Sequence, residues 1–589
     1  MLRRKSLLVA ILLLRTAVLG QQRTTQRPQQ SPSVNSPAGL VAENHTPSQP
    51  QELAKLSART DLVLVPVLVT SAGKHVPGLQ KDAFRIEENG KTRSISVFDE
   101  VTTEKLPTHA KEDPSQAHSN FLVREEQPWR LTAVVLDMIN TPAMRQADAK
   151  KQLIDYLLRS ASREEPMAIF GLNGSGLHQL HPFTKDTQVL IAALQKLKVS
   201  LSSQEQTQPP EVFTDDPSAE QASDEEQLMS DFMQELSDNL SADYQRFATR
   251  QTLIAMRQLS HALDAVPGRK TLIWASAGFP FTIDDPRSFA RQGDDLQTEY
   301  QETWRAFNSA NVAVYPVDLS ALEFSTRSLP SANSGVSSTQ INNIRGINGA
   351  KSAMRLTYDQ SSQQQLTLHA FADATGGRAC ITVEELDKCF TEAVDDSRAY
   401  YLLGYYLGGD TQPGWRKLKV KVVGDGLHTR YRSGFYVTPK VEDSTDLRRK
   451  QFVEALAAPV QYTGLRLNVR RMQPSSGDPV SSSGGGQKKP AEFMLGVMGD
   501  SITIDRQRGN AVDLEVIALA FDSSRKSVGT TAQAVATELK PEALQKTLQT
   551  GLGIPVKLEL APGKYEVKIA VRDNLSGILG TVSMPVDLK

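Results

Sequence analysis

An almost uninterrupted apolar run from Leu131 to Leu136 ends at a single carboxylate, Asp137, and a hydroxyl, Thr141, follows four residues later. A continuous apolar run is typical of a strand buried on both faces, as in a parallel sheet covered by helices. In open sheets of that kind, ligands bind beyond the carboxyl ends of the strands. Asp137 is therefore a candidate ligand-binding residue, and a metal ion is the first ligand to consider.

The N-terminus has the pattern of a secretory signal peptide over residues 1–20. Basic residues at positions 3 to 5 precede an apolar segment from Leu7 to Leu14, and small residues lead to Gly20. Those eight apolar residues fall well short of the ~20 that span a bilayer. The pattern predicts an exported protein, in the periplasm, on the cell surface or outside the cell, with no transmembrane span after signal removal.

Length and charge limit the architecture and the partners. The chain has 589 residues, too many for one hydrophobic core, so several domains are expected. Its net charge of −1 gives no overall attraction to nucleic acid or to anionic lipid. No nucleic-acid partner is therefore predicted.

The central segment, residues 128–410, alternates apolar strands with amphipathic helices. That alternation predicts an α/β fold with a doubly wound, mostly parallel sheet of the Rossmann-like kind. Two polar insertions interrupt the segment, at about 200–245 and at 320–364. The stretch from Ser200 to Asp243 contains many acids and no Lys or Arg, which is typical of a solvated region.

Short alternating strands are predicted on both sides of the central segment. Residues 21–58 form a Gln-, Pro-, Ser- and Thr-rich linker, and 59–103 a β module with an Asn-Gly turn. Residues 411–440 form a β hairpin, and 458–589 a C-terminal all-β sandwich. We hypothesise that the hairpin pairs with the 59–103 module.

Two cysteines, Cys380 and Cys389, stand nine positions apart. In an exported chain such a pair forms one disulfide or remains as two buried free thiols. Both alternatives stay open from the sequence.

The order of several short motifs resembles that of von Willebrand factor type A (VWA)-related proteins of the acidobacterial type. The resemblance covers about residues 60 to 440 and rests on these segments: Val76-Pro77-Gly78-Leu79, the strand ending at Asp137, Gly268–Trp274, Ala374-Thr375-Gly376-Gly377-Arg378, Tyr400–Tyr406 and Tyr431–Tyr436. The resemblance implies a VWA-like domain and a role in protein binding.

VWA domains carry a metal-ion-dependent adhesion site, and the resemblance implies that this chain has a degenerate one. Asp137 matches the family's first Asp, Thr141 its second hydroxyl and Thr252 its later Thr. Ile139 replaces the first Ser, and Ala277-Gly278 replaces the family's Asp-Gly. The ion implied is Mg²⁺, which prefers hard oxygen ligands in octahedral geometry.

Two interpretations of these residues remain. Asn140 and Ser276 could substitute for the missing ligands in a remodelled metal site. Alternatively, Asp137 is a retained strand-end carboxylate that caps backbone amides, which is the interpretation we favour.

Signatures of catalysis are absent from the sequence, so an enzyme is not predicted. The chain contains no His-Glu-x-x-His motif and no Gly-x-Ser-x-Gly motif.

We expect an exported VWA-like adhesion-type module that binds a protein partner at the cell envelope, through the top of the sheet around Asp137. A structural envelope scaffold and an exported hydrolase with a dispersed site are the alternatives.

Overall fold

The computed structural model describes residues 62–102, 118–120, 131–159, 166–197, 224–264, 268–279, 294–319, 365–381, 386–407, 412–437, 444–472 and 489–588. The predicted signal peptide, the linker 21–58 and the insertion 320–364 lie outside the described residues. Residues 198–223, which include the first part of the acidic insertion, also lie outside the described residues.

Strands dominate the described residues. They are, in chain order, β1 Leu62–Ser71, β2 Lys74–His75, β3 Phe84–Glu88, β4 Lys91–Arg93, β5 Val97–Thr102, β6 His118–Ser119, β7 Thr132–Asp137, β8 Met167–Asn173, β9 Gly176–Thr184, β10 Lys270–Ser276, β11 Val312–Asp318, β12 Ala399–Tyr406, β13 Gly414–Val422, β14 His428–Arg430, β15 Gly434–Val437, β16 Leu467–Arg471, β17 Lys489–Val497, β18 Ala511–Phe521, β19 Ser527–Glu538, β20 Leu552–Leu560, β21 Gly563–Asp573 and β22 Leu579–Leu588. The helices are α1 Ala143–Arg159, α2 Thr187–Lys196, α3 Asp224–Leu263, α4 Asp294–Ala310, α5 365–375, α6 Leu386–Asp395, α7 Thr445–Ala457 and α8 Pro541–Thr550.

The central sheet has the strand order β11-β10-β7-β8-β9. Its first four strands are parallel, and β9 is an antiparallel edge strand. Apolar side chains cover both faces, which explains why β7 and β10 read as continuous apolar runs. One face packs against α3, α4 and α5 through Met256, Tyr300 and Phe371, and the other packs against α1, α2 and α6.

The other four sheets in the described residues are wholly antiparallel, so the predicted fold class is wrong. A doubly wound, mostly parallel sheet of the VWA or Rossmann-like kind does not describe this chain, because parallel pairing is confined to the single mixed sheet. Strands and helices do alternate in the central segment, but this alternation determines only how neighbouring elements are connected there. The antiparallel majority comes from the segments before and after it.

A two-sheet sandwich combines strands from both sides of the central segment. Sheet β14-β1-β12-β5, with β2 beside β1, faces sheet β15-β13-β3-β4. Pairing of β1 with β12 and of β3 with β13 joins residues more than 300 positions apart. Val65, Ile86 and Leu403 are fully buried between the sheets. The central segment is thus inserted between strands of one β unit.

A second sandwich is formed mainly by residues 467–588. Sheets β20-β17-β16-β6 and β19-β18-β21-β22 face each other around Phe493, Leu514 and Ile569. Helix α7 lies between this sandwich and the mixed sheet, and its Phe452 shares a continuous hydrophobic core with α3 and β18. No helix among the described residues is long and apolar enough to cross a membrane.

Candidate functional site

Asp137 is the last residue of β7 and is 1% exposed. Its Oδ1 accepts a hydrogen bond from the Asn140 backbone amide at 3.1 Å. Its Oδ2 accepts one from Asn140 Nδ2 at 2.8 Å and one from Trp274 Nε1 at 2.9 Å. The carboxylate therefore caps the turn after β7 and anchors that turn to β10.

The other predicted site residues surround Asp137 in the same network. Asn140 Nδ2 also donates to Thr252 Oγ1 at 2.8 Å, and the Thr252 hydroxyl donates to Ala248 O at 2.9 Å. Thr141 Oγ1 accepts from the Ala277 amide at 3.2 Å. Ser276 Oγ donates to Gly278 O at 2.7 Å. We call Asp137, Asn140, Thr141, Thr252 and Ser276 the polar cluster.

Burial and hydrogen bonding act on the Asp137 carboxyl in opposite directions. Desolvation raises its pKa above the ordinary value, and the donors on Asn140 and Trp274 partly offset that rise by stabilising the charged form. Tyr244 stands close by, with its hydroxyl donating to Ile139 O at 2.8 Å. Burial and the charge of Asp137 raise the pKa of Tyr244 to about 12.

The polar cluster does not fit a Mg²⁺ ion. It offers one carboxylate, whose two oxygens already accept from N–H donors. The hydroxyls of Thr141, Thr252 and Ser276 are likewise engaged with protein groups. An octahedral site needs about six oxygen ligands directed at one point. Nowhere in the described parts of the chain do three or more His, Cys, Asp or Glu side chains converge as a metal site would require.

A cavity next to Asp137 offers about 10 Å³ to the centre of a water molecule, which is room for a single water. Asp137, Thr141, Thr252 and Ser276 are each at most 2% exposed. A partner cannot touch these four side chains directly, and the expectation that the top of the sheet around Asp137 is the contact surface stays a prediction. Only Asn140 is partly exposed. The resemblance implied that these residues lie together, but their burial was not predicted.

A second polar network, missed in the sequence analysis, lies at the opposite, amino ends of the central strands. The Arg269 guanidinium donates to Tyr315 Oη at 3.1 Å and to the carbonyl of Gly376. The Arg269 amide donates to Tyr400 Oη at 3.1 Å. Tyr315 Oη in turn donates to Asp396 Oδ2 at 2.6 Å. We call this the Arg269 network.

Two glycines of the motif Ala374-Thr375-Gly376-Gly377-Arg378 allow the backbone to approach its neighbours closely near the Arg269 network. Gly376 has φ +77°, and a Cβ there would lie 2.8 Å from the Arg432 amide. A Cβ on Gly377 would lie 1.8 Å from Val314 O. Several motifs that carry the resemblance thus meet at the junction of the mixed sheet with the first sandwich. There they supply hydrogen bonds and close backbone packing between the two units.

An ionic cluster joins α3, α4 and α7. The buried Arg257 guanidinium contacts Glu454 at 2.5 Å, Glu299 at 2.7 Å and Glu302 at 3.2 Å. Burial opposes the charge of Arg257, but the neighbouring carboxylates outweigh burial and raise its pKa. Lys450 adds a second cation 3.0 Å from Glu299. The cluster fixes α7, and with it the second sandwich, against the mixed-sheet helices.

Cys380 and Cys389 form a disulfide. The disulfide ties the segment beside β11 to α6. Cys380 forms a backbone β-bridge with Val317 of β11, and Cys389 lies on α6. Both cysteines are 2% exposed.

No protein-family model matches this sequence, and a search of curated proteins finds no significant match. The comparisons therefore assign neither a family nor an activity, and inference of function rests on the geometry above.

Proposed function

We propose that this chain is a non-catalytic protein-binding module that acts outside the cytoplasm. The observation that carries the proposal is the closed polar cluster. Its hydrogen-bonding groups are satisfied by the protein itself, and the adjacent cavity holds no more than one water. A position where ligands enter many open sheets is sealed here, which leaves the outer surfaces for recognition of a macromolecule.

Rigid connections between the structural units support this function. The Arg269 network holds the first sandwich against the mixed sheet, and the Arg257 cluster holds α7 and the second sandwich. Surfaces that belong to different units are therefore kept in a fixed relation. Preorganised surfaces bind with a smaller entropic cost than mobile ones.

Two features support a location outside the cytoplasm. The first 20 residues have the signal-peptide pattern described above. The disulfide between Cys380 and Cys389 suits an oxidising compartment, because cytosolic thiols are kept reduced.

The test is crosslinking in intact producing cells, followed by calorimetric titration of the purified full chain with the protein that is crosslinked. We expect a discrete crosslinked complex and saturable binding with one stoichiometry. Binding should persist in Asp137→Asn, because Asp137 is buried beneath the surface. Absence of any discrete complex, or titrations without saturable heat, would contradict the proposal.

Hydrolysis is a second candidate because one observation favours it. In the turn between β8 and β9, Ser175 Oγ lies 2.7 Å from His178 Nε2. Desolvation, with a smaller effect of Arg525, lowers the pKa of His178, so its imidazole is neutral and able to accept a proton. However, Asn173 Oδ1 lies equally close to the hydroxyl, at 2.7 Å, and the Ser175 side chain is exposed. Hydrolysis of nitrophenyl esters that disappears in Ser175→Ala would favour this candidate.

A further inference from the structure

Strands β3 and β13 place a group of cations on the outer face of the first sandwich. Their inward side chains, including Ile86, Leu418 and Val420, are buried against the facing sheet. Because side chains alternate along a strand, the intervening positions point outward. Those positions are Arg85 and Glu87 on β3, and Trp415, Lys417, Lys419 and Lys421 on β13.

Four cations therefore share this face with one carboxylate. Arg85, Lys417, Lys419 and Lys421 are all exposed. Lys419 pairs in register with Glu87, and Lys421 pairs with Arg85. We call Arg85, Lys417, Lys419 and Lys421 the basic face.

Glu87 cannot neutralise the basic face. Its Oε1 accepts from Lys421 Nζ at 2.6 Å, and that bond, together with the charges of Lys421, Lys419 and Arg85, lowers its pKa. One negative charge against four positive charges leaves an excess of three on the outward positions of the two strands.

Among the described residues, a contact with α4 covers one end of the outer face. The Trp415 ring meets Trp304 of α4 in an edge-to-face contact with ring centroids 5.5 Å apart. The lysines that follow on β13 are exposed beyond this contact. The four side chains of the basic face are thus exposed, and the Trp415–Trp304 contact marks one boundary of the face.

The same chain carries a segment of opposite charge. Residues 200–243 contain 12 Asp and Glu residues and no Lys or Arg. Helix α3 begins at Asp224 and passes Asp137 at Thr252, 28 residues later. At 1.5 Å per residue, its acidic start lies about 42 Å along the helix from the polar cluster.

The described start of the acidic helix, Asp224, and the basic face belong to opposite ends of the mixed sheet. The acidic part of α3 leads to the carboxyl ends of the strands, where Thr252 meets Asn140. The first sandwich, which carries the basic face, is attached at the amino ends through the Arg269 network. For the acids on α3, this separation favours contact between two molecules over contact within one.

We propose that the basic face of one molecule binds the acidic segment 200–243 of a second copy of this chain. Complementary charges steer and orient such an encounter, and salt screens it. The contact is heterologous, because different surfaces meet, so it links copies head to tail and can continue along an open assembly. This inference does not depend on the partner proposed above.

Sedimentation velocity of the purified full chain, at several protein and NaCl concentrations, tests the inference. We expect association that grows with protein concentration and weakens about tenfold or more between low and roughly 0.5 M salt. The variant Lys417→Glu/Lys419→Glu/Lys421→Glu should remain monomeric. The matched control Lys540→Glu/Lys546→Glu/Lys564→Glu has the same change in charge at exposed positions of the second sandwich and should associate like the original chain.

A charge exchange makes the test specific. The variant Asp224→Lys/Glu225→Lys/Glu226→Lys should not associate alone, and mixing it with the Lys417/Lys419/Lys421 variant should restore association. Circular dichroism and thermal melting verify that each variant folds. A monomeric original chain at all concentrations would overturn the proposal. So would unchanged association of the basic-face variant, or loss only of its binding to phosphatidylglycerol vesicles, which would point to an anionic membrane instead.

Discussion

Replacing Asp137 by Ala should destabilise the protein even though no ligand is lost. The substitution removes the acceptor for three N–H donors: the Asn140 amide, Asn140 Nδ2 and Trp274 Nε1. Asn140 is partly exposed and keeps its bond to Thr252, so its donors can find other partners. Trp274 is 0% exposed, and its indole N–H is left without an acceptor.

The magnitude follows from these contacts. A buried donor without an acceptor costs about 1–3 kcal/mol, and each hydrogen bond to a charged group contributes about 1.5–3 kcal/mol. Burial of the carboxylate is unfavourable and raises the pKa of Asp137. Removal of this buried group offsets part of the loss. We expect a net loss of about 2–4 kcal/mol for Asp137→Ala. Asp137→Asn retains one acceptor oxygen and should lose about half as much.

Urea unfolding followed by tryptophan fluorescence and circular dichroism measures both losses. The key result is the order of stability: Asp137→Ala should be the least stable, Asp137→Asn intermediate and the original chain the most stable. A change below about 0.5 kcal/mol for Asp137→Ala would refute the structural role of the carboxylate, because surface substitutions fall within that range. Equal destabilisation by Asn and Ala would also refute the assignment of Trp274 and Asn140 as its donors.

Three further perturbations probe other contacts that hold the structure together. The double variant Cys380→Ala/Cys389→Ala opens a loop with a sequence separation of nine, and should lower the free energy of unfolding by about 2.5 kcal/mol in chemical denaturation. A reductant should destabilise the original chain but not this variant. Burial, and then the charge of Arg257, lowers the pKa of His261 from 6.5 to about 3, so the unfolded state binds the extra proton between those values. The contribution of His261 to stability should therefore fall as pH decreases from 6.5 towards 3, by at most about 1.4 kcal/mol per pH unit. The melting temperature of His261→Phe should depend less steeply on pH than that of the original chain. Arg257→Met leaves three clustered carboxylates without their shared cation and should cost about 3–5 kcal/mol in urea unfolding, more than Glu454→Gln, which leaves Arg257 paired with two acids; equal losses would contradict the cluster.

Local patterns predicted those features that depend on local burial. The apolar run before Asp137 indicated a strand buried on both faces, and β7 is such a strand. Leu418 and Val420 alternate with lysines, which is the local pattern of a half-buried strand, and they lie on β13. The grouping of Thr252 with Asp137 came from the resemblance, and the two side chains meet through Asn140.

Features set by long-range contacts could not be predicted in the same way. Strand–helix alternation does not reveal how the flanking strands pair, so the class of the whole fold was wrong. The Arg269 network joins residues from separate segments by hydrogen bonds, which produce no periodicity in sequence. Burial of the polar cluster depends on how α3 and the turn after β7 close over it, and polar residue types alone predict exposure.

The central claim is that the polar cluster is closed and structural. Its most direct test is the melting temperature of the purified chain in EDTA and in millimolar Mg²⁺, Mn²⁺ or Ca²⁺, alongside Asp137→Ala. A cation at about 100 times its dissociation constant would stabilise the fold by roughly 2.7 kcal/mol. We predict the same melting temperature in EDTA and in each cation. A cation-dependent rise that disappears in Asp137→Ala would contradict the claim and establish a metal site at the end of β7.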